Sequence, residues 1–297
     1  MDYFWVFALL SPIFFAVSNL VDNHVLYKRL RDPISYDILT TWLTAPVAIA
    51  IFLSKGSISL SFDAWFVGGA VGLAFAFLII IYCFAMMREQ GTNVVSVIYT
   101  SPLFVAILAL MFLGEKLSLA NYAGILLLVS SAFLVLYRRV DIKNPALTIL
   151  VVYAFLGAVS RVATKSALGS VDVWSYFFWF IVGGLIGSLI LAALRSRSLS
   201  KAVRSLDSST LLLMCTTTAF STAALVLLYT AFSLGPVALA SSLSAIQPAI
   251  VLLYSAALVR FRPGAIPYER IEGKWAVVRK VGAVVLILLG ALAMTGT

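Results

Sequence analysis

Apolar positions in this chain fall in long unbroken runs, and short polar segments interrupt them at regular intervals. Ten runs lie near 3–23, 34–54, 64–88, 92–113, 119–137, 146–168, 173–194, 209–233, 236–259 and 276–295. Each reaches the roughly 18 to 25 residues that a helix needs to cross a hydrocarbon core about 30 Å thick. Between them stand residues that stop one helix and start the next: Asp32-Pro33, Lys55-Gly56, Glu89-Gln90-Gly91, Gly114-Glu115-Lys116, Asn144-Pro145, the segment from Arg195 to Arg204, Gly235-Pro236 and the polar stretch from Arg260 to Lys274. The first run lacks the basic leader and small-residue cleavage pattern of a signal peptide, so it is expected to be retained as a span.

The chain also repeats itself. Ala16-Val17-Ser18 recurs 142 residues on as Ala158-Val159-Ser160; Asp32, Ser35 and Tyr36 recur 140 residues on as Asp172, Ser175 and Tyr176; Ala85, Ser96 and Pro102 recur 146 residues on as Ala231, Ser242 and Pro248. Ten runs divide as five and five, and an odd number per copy means that the copies insert in opposite orientations. The expected fold is therefore an all-α integral membrane protein of ten transmembrane helices, arranged as two inverted five-helix repeats around a central cavity. The first repeat is expected at 1–140 and the second at 141–297. Many transporters hold their substrate between two such halves near the bilayer midplane.

Composition agrees with that reading and removes others. With 62% hydrophobic and 11% charged residues and a mean hydropathy of +1.07, the chain is too apolar for a soluble domain of 297 residues. Cys83 and Cys215 fall inside apolar runs and His24 is the single histidine, so neither a disulfide framework nor a metal centre is indicated. A net charge of +9 would suggest nucleic acid in a soluble chain, but here the cations cluster at the ends of apolar runs. They read as topology signals and anchors for membrane lipids, with no nucleic-acid partner. Of the 21 basic residues, 17 lie after odd-numbered runs, and only Lys55, Lys116, Arg161 and Lys165 lie elsewhere. By the positive-inside rule both termini then face outward.

The segment Ser101 to Tyr137 resembles the end of an EamA-type repeat of the drug/metabolite transporter superfamily. Pro102 stands in the fourth run, Gly114-Glu115-Lys116 forms the turn after it, and Gly124 comes early in the fifth. The resemblance implies a basket-like bundle whose cavity is lined mainly by spans one, three, four, six, eight and nine, transport of small organic metabolites, and termini in the cytoplasm, against the basic-residue count. The second half departs from the pattern: Phe261, not a glutamate, stands thirteen residues beyond Pro248. Gly124 and Gly282 are 158 residues apart, which places a twelve-residue insertion at about 260–274. Glu269 and Glu272 are the candidates to replace the missing glutamate.

Polar groups inside apolar runs are costly in lipid and tend to face a cavity or a partner. The first run offers Ser11, Ser18, Asn19 and Asp22; the sixth offers Arg161 and Lys165, four residues apart on one helix face and suited to an anionic group, unless they snorkel to headgroups or pair with Asp22. The fourth and ninth runs offer Asn93, Ser96, Tyr99 and Ser101 and, in the other copy, Ser242 and Gln247. Thr218 in the eighth run, with Tyr82 and Tyr229 as stacking surfaces, completes the candidate substrate-binding set. No residue suggests a cofactor.

With no nucleotide-binding glycine loop, GxSxG elbow or HExxH sequence, an enzyme is not expected. The reading is a secondary, non-ATP transporter that moves a small organic metabolite, an amino acid or organic anion first, by alternating access, as a monomer or weak homodimer in the cell membrane. The competing reading is a lipid-handling flippase or membrane scaffold, separable by whether the Arg161 face opens to a central cavity or to lipid. Facilitated diffusion or exchange is expected, because Asp22 reads as the only candidate proton carrier and lies near a span end.

Overall fold

The computed structural model of the chain describes residues 2–88, 94, 97, 98, 100–136, 145–247, 249–251, 253, 254 and 274–295. Asn93, Ser96, Tyr99 and Pro248 lie outside the described residues, as does the expected insertion apart from Lys274. Most of the described residues are helical, and no strand occurs among them. In chain order they are α1 (Asp2–Lys28), α2 (Pro33–Trp42), α3 (Ala45–Lys55), a wider π turn over Asp63–Gly68 that runs into α4 (Gly69–Arg88), α5 (Ser101–Phe112), α6 (Leu119–Leu136), α7 (Pro145–Ala167), α8 (Val173–Leu194), α9 (Ser196–Ser205), α10 (Ser208–Leu234), α11 (Val237–Leu243) and α12 (Lys274–Thr295).

Among the described residues, six stretches are long and apolar enough to cross a membrane: Tyr3–Lys28, Pro33–Lys55, Asp63–Ala85, Ile149–Ala167, Val173–Leu194 and Ser208–Leu234. The fourth, fifth, ninth and tenth expected runs appear as shorter apolar helices, Ser101–Phe112, Leu119–Ser131, Val237–Val251 and Val281–Met294. The outer faces of long and short helices alike are apolar, with Ile107, Met111, Leu126, Leu189, Leu212 and Leu288 exposed, as suits a surface solvated by lipid.

Local chemistry sets the ends. Asp32 caps α2, accepting from the Ser35 backbone N–H, and Pro33 takes the first turn, where its missing N–H costs nothing. Asp172 caps α8 in the same way, accepting from the N–H groups of Trp174 and Ser175 at 3.1 and 3.0 Å. The second run is not one continuous helix: it breaks over Leu43-Thr44, where Pro46 opens α3 without an N–H and the Thr44 hydroxyl bonds the Thr41 carbonyl at 2.6 Å. The segment from Arg195 to Arg204, which the sequence marks as a break, contains α9. Its Leu199 and Ala202 are buried, while Arg197, Lys201 and Arg204 share the opposite, exposed face.

The closest packing joins helices of different halves. α1 lies antiparallel to α10 along its whole length, from Gly235 against the Phe4 ring, through Ser11 to the Ala224 carbonyl (2.9 Å), to Arg29 and Asp207 (3.2 Å). α4 meets α8 backbone to backbone: a Cβ added at Gly72 would lie 1.9 Å from the Phe180 carbonyl oxygen, and one at Gly183 would lie 2.0 Å from that of Gly69. α6 crosses α12 at Gly124 and Gly290 with similar closeness. Small residues at such crossings are the normal means of helix packing in membranes, where apolar surface by itself drives little association.

Candidate functional site

A cavity of about 260 Å³ opens at the centre of the bundle, with walls from α1, α2, α4, α7, α8 and α10 and from Ser101, Ser244 and Gln247. Because α1 runs on to Lys28, Asp22 lies well inside its helix rather than at a span end, and it is buried. Its Oδ1 accepts from the hydroxyls of Tyr36 and Thr217, each at 2.5 Å. Its Oδ2 lies 3.3 Å from the Tyr82 hydroxyl and 3.5 Å from that of Ser18. Tyr82 also bonds Asn19 Oδ1, and Ser18 lies 3.0 Å from Thr217. One carboxylate thus ties α1, α2, α4 and α10 together, and its lone pairs are used.

Asp37, one residue beyond Tyr36, is the opposite case. It lines the cavity at 3% exposure, and its Oδ2 has no hydrogen-bond partner among the described residues. Across the cavity wall, Arg161 of α7 has a buried Nη1 that is likewise without a partner among the described residues. The hydroxyls of Ser101 and Thr218 complete a set of four unpartnered buried polar groups facing one space. Buried polar atoms in native proteins are nearly always satisfied, so such a group marks the place for a ligand or ordered water. Phe177 stacks on Phe180 with ring centres 5.8 Å apart, Phe75 meets Phe180 at 5.5 Å, and Tyr229 stands edge-on to Phe177 at 6.0 Å. These rings give the cavity an aromatic wall beside its charged groups.

The structure therefore gathers Asn19, Asp22, Tyr82, Arg161, Thr218, Tyr229 and Gln247 around one space. Ser11 bonds the Ala224 carbonyl across the α1–α10 contact, and Ser242 bonds the Ala238 carbonyl (2.6 Å) within its own helix; neither lines the cavity. Lys165 does not join Arg161. Its Nζ donates to the carbonyls of Phe232 and Gly235 at 2.6 and 2.9 Å, at the C-terminus of α10, where free carbonyls attract a cation. Glu115 of the Gly-Glu-Lys turn is the complement: its carboxylate accepts from the N–H groups of Val237 and Ala238 at 3.0 and 3.4 Å, at the N-terminus of α11. The two charges bracket the connector Gly235-Pro236. Sequence reasoning missed Asp37, although a lone carboxylate within the run 34–54 was its signal.

The end of the bundle near residues 55–63 and 165–175 is laced across the halves. Lys55 pairs with Asp172 at 2.5 Å and donates to Ser175 at 3.0 Å; Ser170 bonds Asp63 at 2.6 Å; Trp179 bonds the Ser59 carbonyl at 2.9 Å. Partial burial pushes the Asp172 carboxyl up, but hydrogen bonds from Lys55 and Ser175 and the Lys55 charge outweigh it and hold the group below its ordinary value.

Comparison with known proteins gives three findings. The model of the EamA-like transporter family matches residues 4–137. A protein of known crystal structure shares the fold, with a TM-score of 0.66 and 19% identity over 97% of this chain and 96% of that one. No curated protein matches.

Proposed function

We propose that the chain, whose residues 4–137 match the EamA-like transporter family, is a multi-pass membrane transporter of the drug/metabolite type that carries a small zwitterionic metabolite, amino acids being the first class to test, by alternating access in a fold of two inverted five-helix repeats in the cell membrane. One observation carries this reading: Asp37 and Arg161, opposite charges with unpartnered buried atoms, face the same central cavity. A molecule bearing an ammonium and a carboxylate would satisfy both, and an uncharged or singly charged one would leave a buried charge uncompensated.

Pseudo-equivalent contacts support the duplication. Tyr36 bonds Asp22, and its repeat mate Tyr176 lies 2.7 Å from the hydroxyl of Thr164, the mate of Asp22. Arg161 facing a central cavity, rather than a groove toward lipid, favours a metabolite carrier over a flippase. The same unpartnered groups favour exchange: an empty carrier would have to close around the uncompensated Arg161 guanidinium, whereas a loaded one would not.

Purified protein screened by thermal shift against amino acids, organic acids, sugar phosphates and lipophilic cations tests the substrate class, because a ligand of the folded state raises its apparent stability. Amino acids are expected to stabilise it, and reconstituted vesicles to show counterflow of the stabilising compound. Stabilisation by organic acids alone would overturn the role of Asp37.

A further inference from the structure

The second span of each half carries the same two charges at its ends. Asp32 opens α2 and Lys55 closes α3; 140 residues on, Asp172 opens α8 and Arg195 follows its last residue. α2 and α3 pack antiparallel to α8, with Trp42 Nε1 donating to Ser188 Oγ at 3.1 Å midway. In that antiparallel register Lys55 faces Asp172 and, at the far end, Arg195 is in register with Asp32. The first pair is closed at 2.5 Å. The second is open: Arg195 is exposed and makes no ion pair among the described residues, while hydroxyls of Ser35 (2.6 Å) and Ser198 occupy Asp32.

We infer that Lys55–Asp172 and Arg195–Asp32 are alternative latches at opposite ends of one lever, with α2–α3 rocking on α8 about the Trp42–Ser188 contact. Three observations fit the geometry. The break at Leu43-Thr44 lies beside the pivot, where the lever can bend. Serines stand in as weak, neutral partners of Asp32, so the open latch costs little while it waits. Each acid caps its own helix whether or not its cation is docked, so exchanging latches leaves both helices intact. The inference rests on the alternating-access reading above and gives it a residue-level switch: one latch must break before the other closes.

Crosslinking tests it without any substrate. In a background with Cys83→Ala and Cys215→Ala, the pair Asp32→Cys and Arg195→Cys is oxidised in vesicles, with and without Lys55→Glu. Loss of the closed latch is expected to raise the crosslinked fraction about two- to fivefold, the population shift that an exposed ion pair can carry. Adding Asp172→Lys, which restores opposite charges, returns the fraction to its starting value. Lys55→Met, which removes the charge without reversing it, gives the same direction should Lys55→Glu fail to fold. In a four-cysteine chain that also carries Lys55→Cys and Asp172→Cys, single molecules hold one bridge or the other. An unchanged fraction, or both bridges within one molecule, overturns the latch. Amino-acid counterflow measured in the chain with its own cysteines separates the two ideas: flux with invariant crosslinking sinks the latch alone, and latch exchange without flux of any screened compound sinks the transport reading.

Discussion

The two walls of the cavity come from the two halves of the chain and do opposite things. The first-half wall carries two acids, Asp22 and Asp37, and the second-half wall carries Arg161 and the rings of Phe177, Phe180 and Tyr229. At the repeat offsets, Asp37 corresponds to Phe177, Arg161 to Asn19 and Asp22 to Thr164. Positions that match across the halves, such as Ser35 and Ser175 or Asp32 and Asp172, build helix ends and contacts; positions that differ hold the charges. Within the acidic wall the contrast is sharper. Asp22 has donors to both oxygens and acts as a knot, whereas Asp37 has an oxygen to spare and is free to meet a ligand.

The largest test breaks the knot. Asp22→Ala leaves the hydroxyls of Tyr36 and Thr217 without their acceptor inside the bundle, and loss of a buried, hydrogen-bonded carboxylate costs about 3 kcal/mol or more. A clear fall in thermal midpoint is expected, together with loss of binding. Asp37→Asn should do the reverse, keeping the midpoint of the empty protein within a degree or two while lowering amino-acid affinity about 10- to 100-fold, the range for a charge-assisted bond to a ligand; isothermal titration reads it. An Asp37→Asn protein that binds as before would erase the distinction between the two acids. Arg161→Gln should weaken binding of carboxylate-bearing ligands to a similar degree and spare amine analogues that lack the carboxylate.

Smaller effects belong to the helix ends. Lys165→Met or Glu115→Gln removes one charged cap from the Gly235-Pro236 connector, worth about 1 kcal/mol each, and the pair should be less than additive because both hold one segment. The Asp172 latch gives the smallest signal. Its folded carboxyl titrates below the ordinary value of 3.8, so its contribution is fully present above that value and lost as the pH falls through the depressed one. With the pair partly exposed the loss is slight, and melting curves against pH in which the wild type lies above Asp172→Asn at neutral pH and converges with it in the acid range would show it.

Much of this architecture is legible in the apolar runs, because a membrane leaves a helix few ways to hide its backbone. The helix ends at Asp32 and Asp172 are legible as well, because an acid before a helix caps its first N–H groups. The site is half legible. Arg161 and Lys165 share one face by spacing, yet the end of α10 arrives at Lys165 and not at Arg161, and no local rule foretells where a distant helix stops. Asp37 hides for another reason: five residues after Asp32 and close to a helix start, it passes for an acid that favours the N-terminal dipole. Only the packing of α2 against α4 and α8 turns it into the cavity. The break at 43–44 had its signs in Thr41, Thr44 and Pro46, which a count of apolar residues overlooks.

The glycine contacts between α4 and α8 carry one more consequence. With Gly72 against Phe180 and Gly183 against Gly69, backbone touches backbone, and the two helices have no room to shear past one another. They come from different halves of the chain. Any swing of the protein therefore carries α4 and α8 as one beam, and a boundary between moving parts cannot coincide with the middle of the sequence.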